Sequence, residues 1–275
     1  MKFLFSLYLI FFVCPGVSAQ KFHLNTFAGI SNYAGDLQDK RFTFNQSKFA
    51  LGVGLTYELS DKIFIRTAVT LAKVGAEDKY SKFFTRNLNF TSNIYDVQLV
   101  AEYNFRNLND HYLSPYVFAG IGIYRFNPFT HDTAGNKFYL QPLSTEGQDF
   151  YQNRKPYNLT QFSLPFGGGV KLALTKNINT GIEVGIRKLF NDYLDDVSTT
   201  FVDENLLLNN RGPKAVELAF RSGELKTGAT YPSDGSQRGD SRYKDWYYFL
   251  GFTASFRIGW LGGNSEYNKT RCPVL

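Results

Sequence analysis

Apolar and polar residues alternate along eight long stretches of the chain. The clearest stretch is 48–59, in which Phe49, Leu51 and Val53 begin an apolar series and the residues between them are polar or small. Side chains of a β-strand point alternately to two faces, so each stretch predicts a strand with one apolar face. The predicted strands are 21–33, 48–59, 62–74, 94–105, 115–126, 161–174, 178–190 and 245–260.

The connections between these strands alternate between long and short. The long ones are 34–47, 75–93, 127–160 and 191–244, and the short ones are 60–61, 106–114 and 175–177. Bacterial outer-membrane barrels have long extracellular loops and short periplasmic turns. We therefore expect an all-β fold over 20–260, an eight-stranded antiparallel up-and-down transmembrane β-barrel with long extracellular loops. Short strands or helical turns are expected within the last two long loops, one of them at 215–220.

A secreted soluble barrel such as a lipocalin would alternate as well, with its apolar face inside. Two features favour the membrane. The strands match or exceed the roughly 9–11 residues that a tilted membrane strand needs. The polar face is also rich in glycine, which weakens a solvated strand but suits a crowded lumen. These glycines are Gly52, Gly54, Gly167, Gly169, Gly181, Gly185 and Gly251.

The polar face carries charges of both signs, which the barrel would place in its lumen. They are Glu58, Arg66, Asp96, Glu102, Lys171, Glu183, Arg187 and Arg257. Unpaired buried charges are costly, so we predict a paired ionic network in place of a pore. Eight strands also leave no aqueous channel, which disfavours a porin. Aromatic residues near the strand ends are typical of a membrane-interface girdle, and they are Tyr57, Tyr95, Phe105, Phe190, Trp246 and Trp260.

The first nineteen residues are predicted to be a cleaved signal peptide. Lys2 precedes an apolar run over 3–13, and a small-residue cleavage pattern ends at Ala19. The run is shorter than the roughly 20 apolar residues of a spanning helix. Cys14 invites a lipoprotein interpretation, but the residues before it lack the small residue that such processing requires. Since eight strands is an even number, both termini of the mature chain would be periplasmic, including a tail over 261–275.

Cleavage after Ala19 leaves Cys272 as the single cysteine, so no internal disulfide is expected. Lys269 and Arg271 flank it in the tail, and neighbouring cations favour a reactive thiolate. Two interpretations stay open for Cys272: a tolerated free thiol, or a covalent bond to a periplasmic partner.

Catalytic and metal-binding signals are weak. No spacing places His23, His111 or His131 beside a nucleophile, although His131 lies near Ser144 in the third long loop. The fourth long loop holds acidic residues that could ligate calcium, namely Asp192, Asp195, Asp196, Asp203 and Glu204. Their spacing is not that of an EF-hand. We favour a solvated acidic loop, and the arginines available to pair with it are Arg211, Arg221, Arg238 and Arg242. No cofactor is predicted.

The formal net charge of +6 comes from scattered lysines and arginines, so a nucleic-acid partner is not expected. A mildly basic surface fits outer-membrane lipid and anionic lipopolysaccharide. The barrel itself is expected to be monomeric.

Several segments resemble the DUF6089 family of Bacteroidetes outer-membrane barrels, which includes a PorG-like component of the type IX secretion and gliding machinery. They are SNYAGDL at 31–37, DKYS at 78–81, RNLNF at 86–90, PYVFAGIG at 115–122, FNP at 126–128, LQPLSTEGQ at 140–148, DYLDDVS at 192–198, QRG at 237–239, DWY at 245–247 and RCP at 271–273. The resemblance runs from about Phe22 to Pro273.

The resemblance implies a non-catalytic barrel that contacts a periplasmic ring built from a lipoprotein and its partner. The contact would be made by the turns at 60–62, 106–114 and 175–177 and by the tail with Cys272. Two other classes stay open: a surface barrel whose outer loops bind glycans or ions, and an enzyme acting on lipid A or phospholipid.

Overall fold

The computed structural model describes residues 21–38, 43–151, 153–226 and 228–258. The predicted signal peptide, Cys14, Trp260 and the tail with Cys272 lie outside these residues. The described chain forms a closed antiparallel β-barrel of eight strands, so the predicted fold class is confirmed.

The described residues form ten strands, two short α-helices and three single-turn 3-10 helices. The strands are β1 (Phe22–Ala34), β2 (Lys48–Glu58), β3 (Ile63–Glu77), β4 (Asn89–Asn104), β5 (Leu113–Arg125), β6 (Pro128–His131), β7 (Lys137–Tyr139), β8 (Thr160–Ala173), β9 (Ile178–Leu189) and β10 (Trp246–Arg257). The helices are α1 (Glu204–Arg211) and α2 (Pro213–Ala219).

Eight of the strands close the ring in the order in which they follow along the chain. They are β1, β2, β3, β4, β5, β8, β9 and β10. The ring closes where β1 pairs with β10, with His23 opposite Arg257 and Ala34 opposite Trp246. Successive antiparallel neighbours are the up-and-down arrangement, which leaves no free sheet edge for lipid to satisfy.

The two ends of the barrel differ. At one end, called here the turn end, short connections join β2 to β3, β4 to β5 and β8 to β9. The first of these is closed by hydrogen bonds between Ser60 and Ile63. At the other end, called here the loop end, the four long connections are 35–47, 78–88, 126–159 and 190–245.

The hairpin of β3 and β4 is longer than the alternation predicts. A loop over 75–93 was expected, but Gly75 pairs with Thr91 and Glu77 pairs with Asn89, so the loop is only 78–88. The alternation of buried and exposed residues stops in this part of the hairpin, because it contains the buried Val74, Ala76 and Phe90. Here the strands are covered by the loops, and both faces become apolar.

Secondary structure within the last two long connections agrees with the prediction. The third connection contains the β6–β7 hairpin, in which β6 pairs with the loop end of β4. The fourth holds α1 and α2, and α2 includes most of the helical turn expected at 215–220. The Asp203 carboxylate caps α1 by accepting from the Leu206 amide at 2.8 Å. Gly212, at φ +82°, separates the two helices.

The apolar face of the barrel lies outside. In β4, Tyr95, Val97 and Leu99 are about half exposed, whereas Asp96 and Glu102 are almost completely buried. A lipocalin-like barrel has the opposite arrangement, so the outward apolar belt marks a transmembrane barrel. Arg125, which the sequence did not place on a face, is exposed on the outer side of β5. Within the described residues, neither helix is long and apolar enough to cross a membrane.

The largest cluster of buried apolar residues lies towards the loop end. It fills that half of the lumen with aromatic rings and continues into the loops. Among its members are Tyr33, Phe90, Tyr124, Phe126, Tyr157, Leu194 and Tyr247. The loop connections therefore share one core with the barrel, and they are packed as a cap in place of extending freely into solvent.

The β1–β10 seam requires glycine. Gly29 faces Gly251 across the seam, and a side chain at Gly29 would overlap the backbone of Leu250 and Gly251. We expect Gly29→Val to prevent closure of the barrel. Electrophoresis of unheated and boiled samples, with circular dichroism, would measure the folded fraction. Ala28→Val is the matched control, because Ala28 is exposed on the outer face. Folding of Gly29→Val at the wild-type level would contradict this interpretation.

Candidate functional site in the lumen and the loop-end cap

The eight charged residues predicted to face the lumen lie on β2, β3, β4, β8, β9 and β10. The structure directs their side chains inward and joins each one to an oppositely charged partner. They form three layers along the barrel axis, described below from the turn end to the loop end.

The layer nearest the turn end joins β1, β2 and β10. An Arg257 guanidinium nitrogen lies 3.3 Å from Glu58 Oε2, and His23 Nε2 lies 3.4 Å from the same oxygen. These groups are the most accessible of the three layers, since the Arg257 side chain is 27% exposed.

The central layer is built around two buried carboxylates. Arg66 donates to Glu183 at 2.5 Å, and Tyr116 donates to the same Glu183 oxygen at 2.7 Å. Lys171 forms an ion pair with Glu102, and Arg66 lies 3.8 Å from the other Glu102 oxygen. Each carboxylate is thus neutralised, as buried charges require.

The layer nearest the loop end pairs Arg187 with Asp96. The Arg187 guanidinium lies 3.6 Å from Asp96 and donates to Gln98 at 2.8 Å, while Tyr247 donates to Asp96 at 2.6 Å. The guanidinium also lies 4.7 Å from the centre of the Phe249 ring. The free space between this layer and the central layer has a volume of about 40 Å³ and is lined by Arg66, Gln98, Glu183 and Arg187 among others.

Sequence reasoning missed Tyr116, Tyr247 and Gln98 as members of this network. Tyr116 and Tyr247 occupy polar-face positions of their strands, and each is at most 1% exposed. The sequence signal for these tyrosines was their position on the same strand face as the lumen charges. A hydroxyl buried there almost always finds a hydrogen-bond partner.

Removing Arg66 should leave Glu183 and Glu102 short of a buried cation. We expect Arg66→Met to lower the free energy of unfolding by about 3–5 kcal/mol. Urea-induced unfolding in lipid bilayers, followed by tryptophan fluorescence, would measure it. Arg66→Met combined with Glu183→Gln should recover part of the loss. The control is Lys79→Met in the exposed pair with Glu77, and it should change the unfolding free energy by less than about 0.5 kcal/mol. Equal stability of Arg66→Met and wild type would refute the pairing argument.

Above the lumen, the loop-end cap brings together six carboxyl groups, five of them buried and one, Asp36, half-buried. We call this set the acid cluster: Asp36, Glu146, Asp192, Asp195, Asp196 and Asp245. Tyr33 lies between two of its members, with its hydroxyl 2.5 Å from Asp195 and 3.3 Å from Asp245. One phenolic proton cannot serve two carboxylates fully, so this arrangement favours a proton on one of the two acids.

Among the described residues, Arg238 forms the salt bridges with carboxylates of the acid cluster. It donates to Glu146 at 3.0 Å and lies 3.9 Å from Asp196. Glu146 also accepts from the Ser198 and Thr199 amides at 2.9 and 3.0 Å, and thereby ties the third long connection to the fourth. Arg86 binds Asp78 through two hydrogen bonds of 2.7 Å, so much of its charge is already matched.

The interpretation of the fourth loop as a solvated acidic segment is wrong for three of its residues. Asp192, Asp195 and Asp196 are at most 3% exposed, because the core of the cap encloses them. Asp203 and Glu204 lie apart and exposed, at the start of α1. Of the four candidate arginines, Arg238 alone pairs with this group. The described residues contain no cluster of three or more His, Cys, Asp or Glu side chains with metal-binding geometry.

Burial raises the pKas of the aspartates in the acid cluster and so favours their protonated form. It raises the pKa of Asp192 to about 7 and, against the opposing effect of Arg238, that of Asp196 to about 6. Burial and the neighbouring acids raise the pKas of Asp195 and Asp245 well above the ordinary value. The cap therefore retains protons that the same residues lose in an unfolded loop.

This difference makes the cap sensitive to pH. Because the folded-state pKa of Asp192 exceeds the unfolded value of 3.8, its stabilising effect is complete below about pH 4 and is lost as the pH rises towards 7. We expect proteolysis of the cap to accelerate from pH 5 to pH 8, as measured by time courses with a protease active at both values. Asp192→Asn should reduce this acceleration, whereas Asp61→Asn at the opposite end should not. A cap equally resistant at both pH values would refute the argument.

The three histidines lie in unrelated places. His23 belongs to the turn-end layer, His111 is exposed in the β4–β5 turn, and the His131 ring packs 5.6 Å from Phe129. In the described part of the chain, Ser144 hydrogen-bonds with Arg211 and not with a histidine. The geometry therefore gives no positive support for a nucleophile and base.

A family model described as a domain of unknown function, DUF6089, matches residues 2–208. This match covers most of the resembling segments, and the segments at 237–239, 245–247 and 271–273 lie beyond it. A comparison with curated protein sequences finds no match.

Solved structures of bacterial outer-membrane proteins are similar in architecture. Neisserial surface protein A is 12% identical with a TM-score of 0.43, and the alignment covers 87% of this chain and 97% of that one. Ail of Yersinia pestis, solved with the heparin analogue sucrose octasulfate, is 11% identical with a TM-score of 0.39, covering 86% and 97%. The outer membrane enzyme PagL is 12% identical with a TM-score of 0.33, covering 84% and 98%. These similarities carry no argument about function.

Proposed function

The chain belongs to the DUF6089 family, and on that premise we propose that it is a non-catalytic outer-membrane barrel that anchors a periplasmic assembly of type IX protein secretion. In this proposal the turn end and both termini face the periplasm, and the loop-end cap faces outward. The contacted partner is a lipoprotein-containing ring, as the family resemblance implies.

The observation that carries the structural role is the closed lumen. Its central and loop-end ion-pair layers and the aromatic core above them occupy the middle and the loop half of the interior. A barrel filled in this way is suited to a fixed position in the membrane, and transport through it would require breaking buried ion pairs. Such a body can hold a periplasmic complex against the membrane.

Binding of acidic glycans is a second candidate function, favoured by one exposed segment of the cap. Lys79 lies 4.8 Å from the Tyr80 ring centre, and Lys82 lies 4.9 Å from that of Phe83. Tyr80 and Phe84 are more than half exposed. Aromatic rings with adjacent lysines are suited to sugars that carry negative charge. Binding of intact barrels to sulfated or phosphorylated glycan arrays would test this candidate.

Deletion of the gene in its native bacterium provides the test of the anchoring role. We expect cargo of the type IX pathway to accumulate in the periplasm and to disappear from the culture medium. Wild-type barrel supplied in trans should restore secretion. Unchanged secretion in a verified deletion would refute the role.

Cys272 offers a test of how the partner is held. If the anchor is covalent, isolated outer membranes on a non-reducing gel should give a band of higher mass that disappears with reductant. Cys272→Ser should remove this band while leaving the barrel folded, because the residue lies beyond the last described strand. A single band at monomer mass in both samples would exclude the disulfide. Mass spectrometry of a shifted band would identify the partner.

A further inference from the structure

Charged residues on the outer face of the described barrel strands lie only at the loop end. The cations are Lys73 on β3, Arg125 on β5 and Lys188 on β9, each exposed and within the last five residues of its strand. The carboxylate on this face, Glu77 at the end of β3, forms an ion pair with Lys79. At the turn end the same face of these strands carries only uncharged residues. Unbalanced positive charge is thus confined to one rim of the lipid-facing surface.

Two of these cations lie on either side of β4. Lys73 is opposite Asn93, and Arg125 is opposite Tyr95. Asn93 and Tyr95 are successive outward positions of β4, so the spacings of a β-sheet place the Lys73 and Arg125 Cα atoms about 12 Å apart. Neither charged group forms an ion pair or a hydrogen bond with another described residue. Both side chains are long enough to contact one anionic group bound over β4 between them.

The β6–β7 hairpin adds a third cation on the loop side of this pair. Lys137 Nζ lies 3.8 Å from the centre of the Phe129 ring and 4.6 Å from that of Tyr139, and these cation–π contacts hold it in place. Phe129 pairs with Thr91, the next outward position of β4 after Asn93. The set Lys73, Arg125 and Lys137 is called here the cationic patch.

The surface on the turn side of the cationic patch is apolar. Val69, Val97 and Ile123 are in register across β3, β4 and β5, and each is about half exposed. Tyr95 lies between this row and the cations and is also about half exposed. Aromatic residues in this position mark the interface between hydrocarbon and water, where lipid head groups lie. The site is therefore complementary to an amphiphile with an anionic head group.

Phosphate is the head-group anion that fits these cations best. An arginine guanidinium binds phosphate through two parallel hydrogen bonds, and lysine adds a compact point charge. A phosphate presents several acceptor oxygens, so it can contact Arg125 and Lys73 at once. Because the turn-end rim lacks such cations, the charge distribution matches a bilayer in which one leaflet carries more phosphate than the other.

We propose that the cationic patch binds a phosphate of a glycolipid of the lipid A class. The acyl chains of this lipid would lie along Val69, Val97 and Ile123, and its phosphate would lie over β4 between Lys73 and Arg125. Occupancy of the patch would hold the loop end in the leaflet that contains this lipid. The inference does not depend on the anchoring role, and purified barrel is sufficient to test it.

The probe is lipid A with two phosphates, and the same lipid stripped of both phosphates is its control. Native mass spectrometry of the full chain, titrated in detergent micelles, would measure binding. We expect the phosphorylated lipid to bind about tenfold more tightly, since charge-assisted contacts are lost with the phosphates. Equal affinities would overturn the proposal. Millimolar inorganic phosphate should not displace the lipid, because it lacks acyl chains, and displacement would overturn a lipid as the occupant.

A double variant locates the site. Lys73→Gln combined with Arg125→Gln should weaken binding of phosphorylated lipid A by about tenfold or more. The matched control is Lys62→Gln combined with Lys176→Gln, which removes the same charge from exposed positions at the turn end. It should keep the affinity within about twofold of wild type. Wild-type affinity in the patch variant, or an equal loss in the control, would overturn the proposal.

Folding of each variant is checked by electrophoresis of unheated and boiled samples. Loss of charge near the membrane interface should leave the barrel folded. Lys137→Gln is a further variant outside the barrel strands, and we expect it to weaken binding by about threefold. Wild-type affinity in Lys137→Gln would exclude the hairpin from the site and contradict the patch as defined. Because binding is measured without secretion, its failure would leave the anchoring test unaffected.

Discussion

The narrow lumen of an eight-stranded barrel is the constraint from which the rest of this structure follows. Away from its open turn end such a lumen is just wide enough for side chains, so it contains too little water to solvate charges. Every charged side chain directed inward must then have a partner on another strand. The pairs Arg66–Glu183, Lys171–Glu102 and Arg187–Asp96 connect strands that are far apart in sequence. They fix how the strands are arranged around the axis as well as neutralising charge.

The same constraint explains why the loops are packed as a cap. Aromatic residues replace ion pairs in the loop half of the lumen, and their apolar surface continues into the connections. Once covered in this way, the acidic residues of the fourth loop lose their solvent. Arg238 neutralises Glu146 and Asp196, whereas Asp192, Asp195 and Asp245 reduce their charge by holding protons, since burial raises their pKas. The cap therefore contains a titratable element that the lumen lacks.

Alternation alone predicted the strand number, the two faces and the alternating connections, because a membrane strand must keep one face apolar over its whole length. It failed at 75–93, where the loops cover both faces of the β3–β4 hairpin and the period-two signal disappears. It also could not distinguish buried acids from solvated ones. Asp192 and Asp203 belong to the same long loop, yet Asp192 is enclosed by the cap and Asp203 caps the start of α1. Burial of that kind depends on contacts between loops distant in sequence. Likewise, the positions of the lumen charges could be read from the period, whereas the pairing of Arg66 with Glu183 depends on how β3 and β9 face each other across the barrel.

The two ends of the barrel thus compensate for the burial of charged side chains in different ways. At the loop end an excess of acids is balanced by protons, and the result is a closed apolar cap. At the turn end the lumen opens into a cavity of about 590 Å³, and the charged groups on its wall include the paired Glu58, Lys171 and Arg257. Charged groups at the turn end are therefore stabilised by partners on other strands and by access to water, whereas those of the cap are stabilised by partners and by bound protons.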